Sequence, residues 1–247
     1  MKLITWNIYG LFLEGLNLGE RVHRVGQALD GTKADVVNLQ EVFLSNTLEI
    51  IRAEMHNAFQ ATFYRRFFLF TAAGLVTFSK LRPLSKELVA FHSTSPGFPG
   101  WDFPKGALLS EFRDYYLVNC HVPLNRSFNW NRRENYAEQT SAINLLTSVL
   151  TQKLSSGKAL IMTGDFNLPP NTEPYDKLVK GLDLYSVFES LRRQTYIRAT
   201  GSGIGGPIDH VFISSSLQSR VGPRQVLFDD PGQNLSDHLA LEVDIDV

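Results

Sequence analysis

The chain has 247 residues with 24 basic and 25 acidic side chains, giving a formal charge of −1, and it is 43% hydrophobic and 20% charged. That composition excludes a disordered or fibrous protein, and the near-zero charge argues against holding nucleic acid by bulk electrostatics while leaving room for a local basic patch. One cysteine cannot form an internal disulfide or build a cysteine zinc site.

The opening stretch MKLITWNIYGL meets Trp6, Asn7 and Gly10 too early for a secretory signal. No run approaches the roughly 18–20 apolar residues that cross a bilayer. A soluble cytoplasmic protein is therefore the expectation, with a removed export signal as the other possibility. Lys2–Ile8 reads as the first strand, short, apolar and bounded by turn residues. Glu20–Asp30 reads as a helix, with Val22, Val25 and Leu29 on one face and Gly31 just past its end. Asp35–Leu39 is the second strand. Ser45–Met55 is a helix with a polar cap and with Leu48, Ile51 and Met55 at helical spacing.

Gly74–Ser79, Ala107–Phe112 and Tyr115–Val122 continue the strands. Arg132–Leu154 is the longest expected helix, carrying Tyr136, Ile143, Leu146 and Leu150 in a stripe. Lys158–Thr163, Ile208–Ser214 and Leu239–Asp246 are the last strands. Strands such as Ala159–Met162 are apolar on both parities, which predicts sheets covered on both faces. No repeat, low-complexity tract or long Pro/Ser/Gly linker interrupts the chain. The expectation is one domain over 1–247, an α/β fold of two packed sheets with helices outside.

Polar residues stand at the ends of these apolar strands, where a buried sheet has no need of them. Trp6-Asn7-Ile8, Leu39-Gln40-Glu41-Val42, Asn119-Cys120-His121 and Gly164-Asp165-Phe166-Asn167 close four strands. Ile208-Asp209-His210 opens a fifth, and Ser236-Asp237-His238 precedes the last. Singly, each has a plain structural reading. Asn7 can satisfy a loop backbone, Asp165 to Pro170 can form an Asx-type turn, and Glu41 and Asp237 can act as caps. A lone His121 on a strand is most often a satisfied core histidine. Jointly they read differently, because His121, His210 and His238, three of the six histidines, lie in these segments and Asp-His occurs twice. A set of Glu, Asp, Asn and His offers hard oxygen ligands, which suit Mg²⁺ or Mn²⁺ better than zinc, together with proton-transfer groups. That is equipment for hydrolysing a phosphate ester.

The motifs WNI, LQEV, CHVP, GDFN, PIDH and SDH, in this order from Asn7 to His238, resemble the endonuclease/exonuclease/phosphatase superfamily. The resemblance implies a four-layer α/β/β/α sandwich of two mostly antiparallel sheets flanked by helices. It also implies residue roles. Glu41 would be the metal-binding carboxylate, with Asn7 beside it touching metal or phosphate and Asp237 as a second carboxylate near the metal. Asp165 would orient or deprotonate the attacking water, and Asn167 would donate to a phosphate oxygen. His238 would act as general base or phosphate donor, with Asp209 holding its imidazole in one tautomer. His121 would bind the phosphate or help protonate the leaving oxygen. A charge-developing transition state needs a cation and hydrogen-bond donors, and water needs a base, whatever the family.

Two departures matter. Tyr9 stands where several abasic-site endonucleases have a metal-site acid, and His121 stands where they tend to use tyrosine, so the chain looks more like the deoxyribonuclease I and sphingomyelinase branches. The glycine run at 201–206 precedes a strand instead of joining a strand to a helix, so it fails as a phosphate-binding loop and reads as a turn. The loop at 96–106 carries three large aromatics that can meet lipid, stack on a base or fold onto the core, and its Lys105-Gly106 pair resembles the sphingomyelinase-like branch. Arg65-Arg66, Arg132-Arg133 and Arg192-Arg193 make no nucleic-acid stripe. The expected function is a divalent-metal-dependent phosphoesterase, acting as a monomer on a phosphodiester in nucleic acid or a phospholipid head group. The alternatives are an inositol-phosphate monoesterase, which would want a denser basic pocket, and a catalytically silent scaffold, which would have no need of this residue set.

Overall fold

The computed structural model describes residues 1–10, 18–56, 59–66, 69–92, 105–125, 127, 129–191, 193–197, 206–233 and 235–247. The aromatic stretch at 96–104, the glycines at 201–205 and Arg192 lie outside these residues. In chain order the elements are β1 (Lys2–Asn7), α1 (Leu18–Gly31), β2 (Val36–Gln40), α2 (Ser45–Glu54), β3 (Gln60–Thr62), β4 (Arg65–Arg66), β5 (Phe70–Thr71) and β6 (Val76–Ser79). There follow β7 (Ser85–Phe91), β8 (Lys105–Glu111), β9 (Tyr115–His121), α3 (Ala137–Leu154), β10 (Ala159–Asp165), α4 (Glu173–Gly181), β11 (Leu184–Ser186), β12 (Asp209–Ser214), β13 (Val221–Leu227) and β14 (Ala240–Ile245).

Twelve of these strands form two six-stranded sheets, ordered β13-β14-β1-β2-β6-β3 and β11-β12-β10-β9-β8-β7. Each sheet has one parallel pair, β1 with β2 and β9 with β10, and its other pairs are antiparallel. Helices α1 and α2 pack on the outer face of the first sheet through Val22, Val25, Leu29, Leu48 and Ile51. Helices α3 and α4 cover the second through Ile143, Leu146, Leu150, Tyr175 and Leu178. The result is the expected α/β/β/α sandwich. Among the described residues, no helix is long and apolar enough to cross a membrane.

Side chains alternate across each strand, so the inward residues can be followed from one end of the sandwich to the other. At one end they are apolar: Leu3, Val36, Leu117, Ile161, Val211, Ile213, Leu241 and Val243 form the core between the sheets. Midway they become neutral polar. Asn38 donates to Thr163 Oγ1 (2.8 Å) and accepts from Thr77 Oγ1 (2.7 Å), while Gln40 donates to Asn119 Oδ1 (2.8 Å). Asn119 in turn donates to the carbonyls of Leu39 and Val76. A buried network of this kind holds the two sheets at one spacing because each unpaired member would cost the desolvation of its amide. One step further along the same strands the inward residues are Asn7, His121, Asp165 and Asp209, all buried. The polar strand ends seen in the sequence are the terminal rung of this progression.

The expected strands and helices are present with ends displaced by up to a few residues. The long helix differs most: Arg133–Tyr136 is a 3-10 turn, and the backbone at Tyr136 (φ −128°, ψ 27°) separates it from α3. Elements not foreseen are short or exposed. β7 and β13 are edge strands with largely exposed side chains, so neither has an apolar pattern, and β13 also contains Pro223.

Candidate active site

Three neighbouring strands deliver the acid and histidine groups in one row. In the register of the second sheet, Asp165 on β10 pairs with His121 on β9 on one side and with Asp209 on β12 on the other. In the facing sheet Asn7 pairs with Gln40, one residue before Glu41. Glu41 and Asn167 take left-handed backbone angles (φ 63° and 51°) just past their strands, as does Tyr9 (φ 50°) after Asn7. These conformations turn the chain sharply at the strand ends, and such strain in non-glycine residues concentrates at functional sites. Gly164 (φ 141°) lies against the carbonyl of Cys120, where a Cβ would overlap the oxygen. Its absent side chain lets β9 and β10 pair closely next to His121 and Asp165.

Asp165 is the hub. Its Oδ1 accepts from the backbone N–H of Asn167 (3.0 Å), which is the Asx-type turn suggested by the sequence. Its Oδ2 accepts from Asn7 Nδ2 (3.0 Å), with His121 Nε2 at 3.3 Å and His238 Nε2 at 3.8 Å. The structural and chemical readings of this residue therefore hold together, one oxygen for each. His238 Nδ1 lies 2.9 Å from Asp209 Oδ2, and the indole of Trp6 donates to the His238 carbonyl (2.9 Å). The backbone N–H groups of Ile208 and Asp209 both donate to Thr195 Oγ1 (3.1 Å each), which fixes the turn carrying Asp209. Lys105, at the start of β8, donates to His121 Nε2 (2.7 Å) and sits 3.6 Å from Glu41 Oε1. Asn167 donates its amide to the Val122 carbonyl (2.9 Å).

Burial and neighbouring charge set the protonation states. Burial alone would lower the His238 imidazole, but Asp209 by charge and hydrogen bond, then Asp165 and Asp237 by charge, push it up to about 10. His238 is thus an imidazolium at neutral pH. Burial would raise the Asp165 carboxyl, yet the contact with His121 and the charges of His238 and Lys105 hold it well below the usual carboxylate range. Burial lowers His121, the Lys105 charge lowers it further, and its contacts with Asp165 and Glu41 only partly offset this. His121 is accordingly neutral, in the form that accepts the Lys105 proton donor.

A recess of about 160 Å³ opens on this group, with Glu41, His121, Asp165, Asn167, Asp237 and His238 on its wall together with Lys105 and Tyr196. Asn7 and Asp209 stand just behind, bonded to Asp165 and His238. All eight residues singled out from the sequence therefore come together. His210 does not join them. It points to the outer face, donates to the Leu168 carbonyl (2.8 Å), packs on Phe166, Tyr175 and Phe212, and is pushed down to about 4 by burial. Strand alternation separates it from Asp209: adjacent residues face opposite ways. Lys105 was visible only as half of a Lys-Gly pair, and Thr195 and Tyr196 carried no signal, since neither sits in a motif or at the end of an apolar strand.

The residues present suit a hard divalent cation. Glu41 Oε2 is buried with no hydrogen-bond partner among the described residues, a state that a carboxylate oxygen does not keep without compensation. Ligand atoms of Asp165, Asp209 and His238 also lie within 4.8 Å of one another. The His238–Asp209 bond already accounts for part of that second cluster, which leaves the Glu41 side as the better-fitting oxygen site.

A sequence profile of the Endonuclease/Exonuclease/phosphatase family matches residues 4–238. No curated protein matches the sequence. Among solved structures, SmcL is similar over 100% of this chain and 99% of its own (TM-score 0.75, 15% identity). The beta toxin of Staphylococcus aureus is similar over the whole of both chains (TM-score 0.71, 14% identity). Truncated TDP2 of Caenorhabditis elegans is similar over 100% of this chain and 97% of its own (TM-score 0.68, 14% identity).

Proposed function

Because the chain belongs to the Endonuclease/Exonuclease/phosphatase family, we propose that it is a divalent-metal-dependent phosphoesterase that cleaves a phosphodiester, in nucleic acid or a phospholipid head group. Hydrolysis of phosphoester bonds is the general activity of that family. The observation that carries the reading is the convergence of the Asp209-bound His238, Asp165 and His121 on one recess of about 160 Å³ whose wall also carries Glu41 and Lys105. Residues 1–247 act as one catalytic unit in this reading, since both sheets contribute groups.

Glu41 would hold Mg²⁺ or Mn²⁺, with Asn7 and Asp237 near it. Bound there, the cation supplies positive charge against the phosphate oxygens. The remaining work falls to side chains. His238, kept protonated by three carboxylates, donates to a phosphate oxygen as negative charge builds on it. Asp209 holds the imidazole with Nε2 toward the recess. Asp165, held ionised, orients the attacking water, and neutral His121 is in the form that accepts a proton. Asn167 and Lys105 add donors to the phosphate.

Hydrolysis of bis(p-nitrophenyl) phosphate with Mg²⁺ or Mn²⁺ tests the class. Activity is expected, lost on adding EDTA and in His238→Ala, and strongly reduced in Glu41→Gln. Turnover that survives EDTA and Glu41→Gln overturns the metal reading; no turnover with any divalent cation overturns the enzyme reading. Plasmid DNA, RNA, sphingomyelin and inositol phosphates, assayed side by side, separate the substrate classes.

A further inference from the structure

The segments carrying Asn7 and His238 are far apart in sequence, and the same buried side chain from α1 touches the backbone beside both. Arg21 is 4% exposed. Its Nη1 donates to the carbonyls of Ile8 (2.7 Å) and Leu235 (2.6 Å), and its Nη2 donates to the carbonyl of Tyr9 (2.6 Å). Ile8 and Tyr9 directly follow Asn7, and Leu235 leads into Ser236-Asp237-His238. A guanidinium is the one side chain with enough rigidly spread donors to hold three carbonyls from two segments at once. Two further bonds close the same joint: Ser236 Oγ donates to the Asn7 carbonyl (2.6 Å), and Trp6 Nε1 to that of His238 (2.9 Å). The clamped loop also reaches Glu41, because Gly10 lies so close to the Glu41 carbonyl that any Cβ would overlap it.

We infer that Arg21 is a positioning residue that fixes the Asn7 loop and the 235–238 segment against each other, and through them the placement of His238 opposite Asp165. It touches neither substrate nor metal. Without it, three carbonyls, two of them in buried contacts, lose this donor and the two segments can separate by a fraction of an ångström while both sheets stay paired. Displacement on that scale costs turnover more than binding. This inference rests on the functional reading above for its kinetic consequence only.

The test compares Arg21→Lys, which keeps the charge and loses the fork, with Val25→Ala, which removes a buried core contact one turn along α1. Three quantities are read: the thermal midpoint, kcat and KM for bis(p-nitrophenyl) phosphate with Mn²⁺, and the NMR resonance of the His238 Nδ1–H bonded to Asp209. In Arg21→Lys, kcat is expected to fall about 10–100-fold with KM changed little, and the His238 resonance to move. In Val25→Ala, at an equal or greater loss of thermal midpoint, kcat and the resonance are expected to stay near wild type. A resonance unmoved in Arg21→Lys, or moved equally by Val25→Ala, overturns the inference. If Arg21→Lys does not fold, Arg21→Gln is read in its place, and failure of both to fold overturns it by making Arg21 a general requirement of the fold. A wild-type protein inactive on the diester defeats the functional reading instead, and the resonance alone then decides the placement.

Discussion

Lys105 Nζ stands 2.7 Å from His121 Nε2, so an ammonium donates into an imidazole that burial has already deprived of water. Both effects disfavour the imidazolium, and Asp165, 3.3 Å away, opposes them. Lys105→Met removes one of the two depressing influences. The His121 imidazole is expected to titrate at higher pH, and the acid limb of kcat/KM to shift upward with it. Following the His121 ring resonance through an acid titration checks this. An unchanged or lowered titration point in Lys105→Met would mean that Lys105 does not govern the charge of His121.

Asp209→Asn should cripple the proposed phosphodiester hydrolysis while leaving the fold intact. The carboxylate is the largest influence raising His238 and also fixes its tautomer. Loss of about 10²–10⁴-fold in kcat is expected, as for other histidines deprived of an orienting carboxylate. A second consequence follows from the sign of the shift. A histidine raised from 6.5 to about 10 contributes stability that is fully present below 6.5 and is lost as pH rises through about 10. Denaturant midpoints measured from neutral to alkaline pH should therefore fall in wild type and fall less in Asp209→Asn. Parallel curves would sink the assignment of an imidazolium.

His210 makes the opposite prediction on the acid side. Its imidazole is pushed from 6.5 down to about 4 by burial, so its contribution is fully present above 6.5 and is lost as pH falls toward 4. A shift of that size corresponds to about 3 kcal/mol. His210→Leu removes the titration at the cost of the Leu168 hydrogen bond. Its stability should be lower than wild type near pH 7.5 and should decline less by pH 4.5, read as urea midpoints. Equal declines would place the acid sensitivity elsewhere.

Gly164→Ala is expected to be severe for a purely steric reason. The backbone there (φ 141°) is in a region that disfavours L side chains, and a methyl would overlap the Cys120 carbonyl oxygen. A loss of about 3 kcal/mol or more is expected. Because Cys120 and Gly164 are register partners immediately before His121 and Asp165, activity should fall even at temperatures where the variant remains folded. A thermal midpoint close to wild type would show that the strands relax at no cost.

The strands were legible because they are short, largely apolar runs bounded by turn residues, a pattern few loops imitate. The site residues were legible because they break that pattern at the strand ends. Asn7, Glu41, His121, Asp165, Asp209 and His238 each sit where a covered sheet gives no reason for a charge or an amide. His210 is also polar and also at a strand end, yet it faces the helices, and motif reading does not record which face of the strand a residue occupies. Thr195 and Arg21 stayed hidden, and Lys105 showed only as half of a Lys-Gly pair, for a different reason. Their partners are backbone carbonyls, backbone N–H groups or a histidine 16 residues away, and such contacts exist only once the sheets have been folded against each other. β7 and β13 were missed as edges, whose exposed side chains need no apolar alternation.

The row His121–Asp165–Asp209 runs across three strands at a single level of the ladder. Its separations are therefore set by the interval between hydrogen-bonded strands, about 4.8 Å, a length that no side-chain substitution can tune. Substrate preference, by contrast, is free to vary with whatever loops border the recess. A chain built this way can drift widely in sequence while the ruler beneath the row keeps the same graduation. Rewriting the spacing itself would require a strand to slip, and a slip of one residue would turn that strand's member of the row to face the helices.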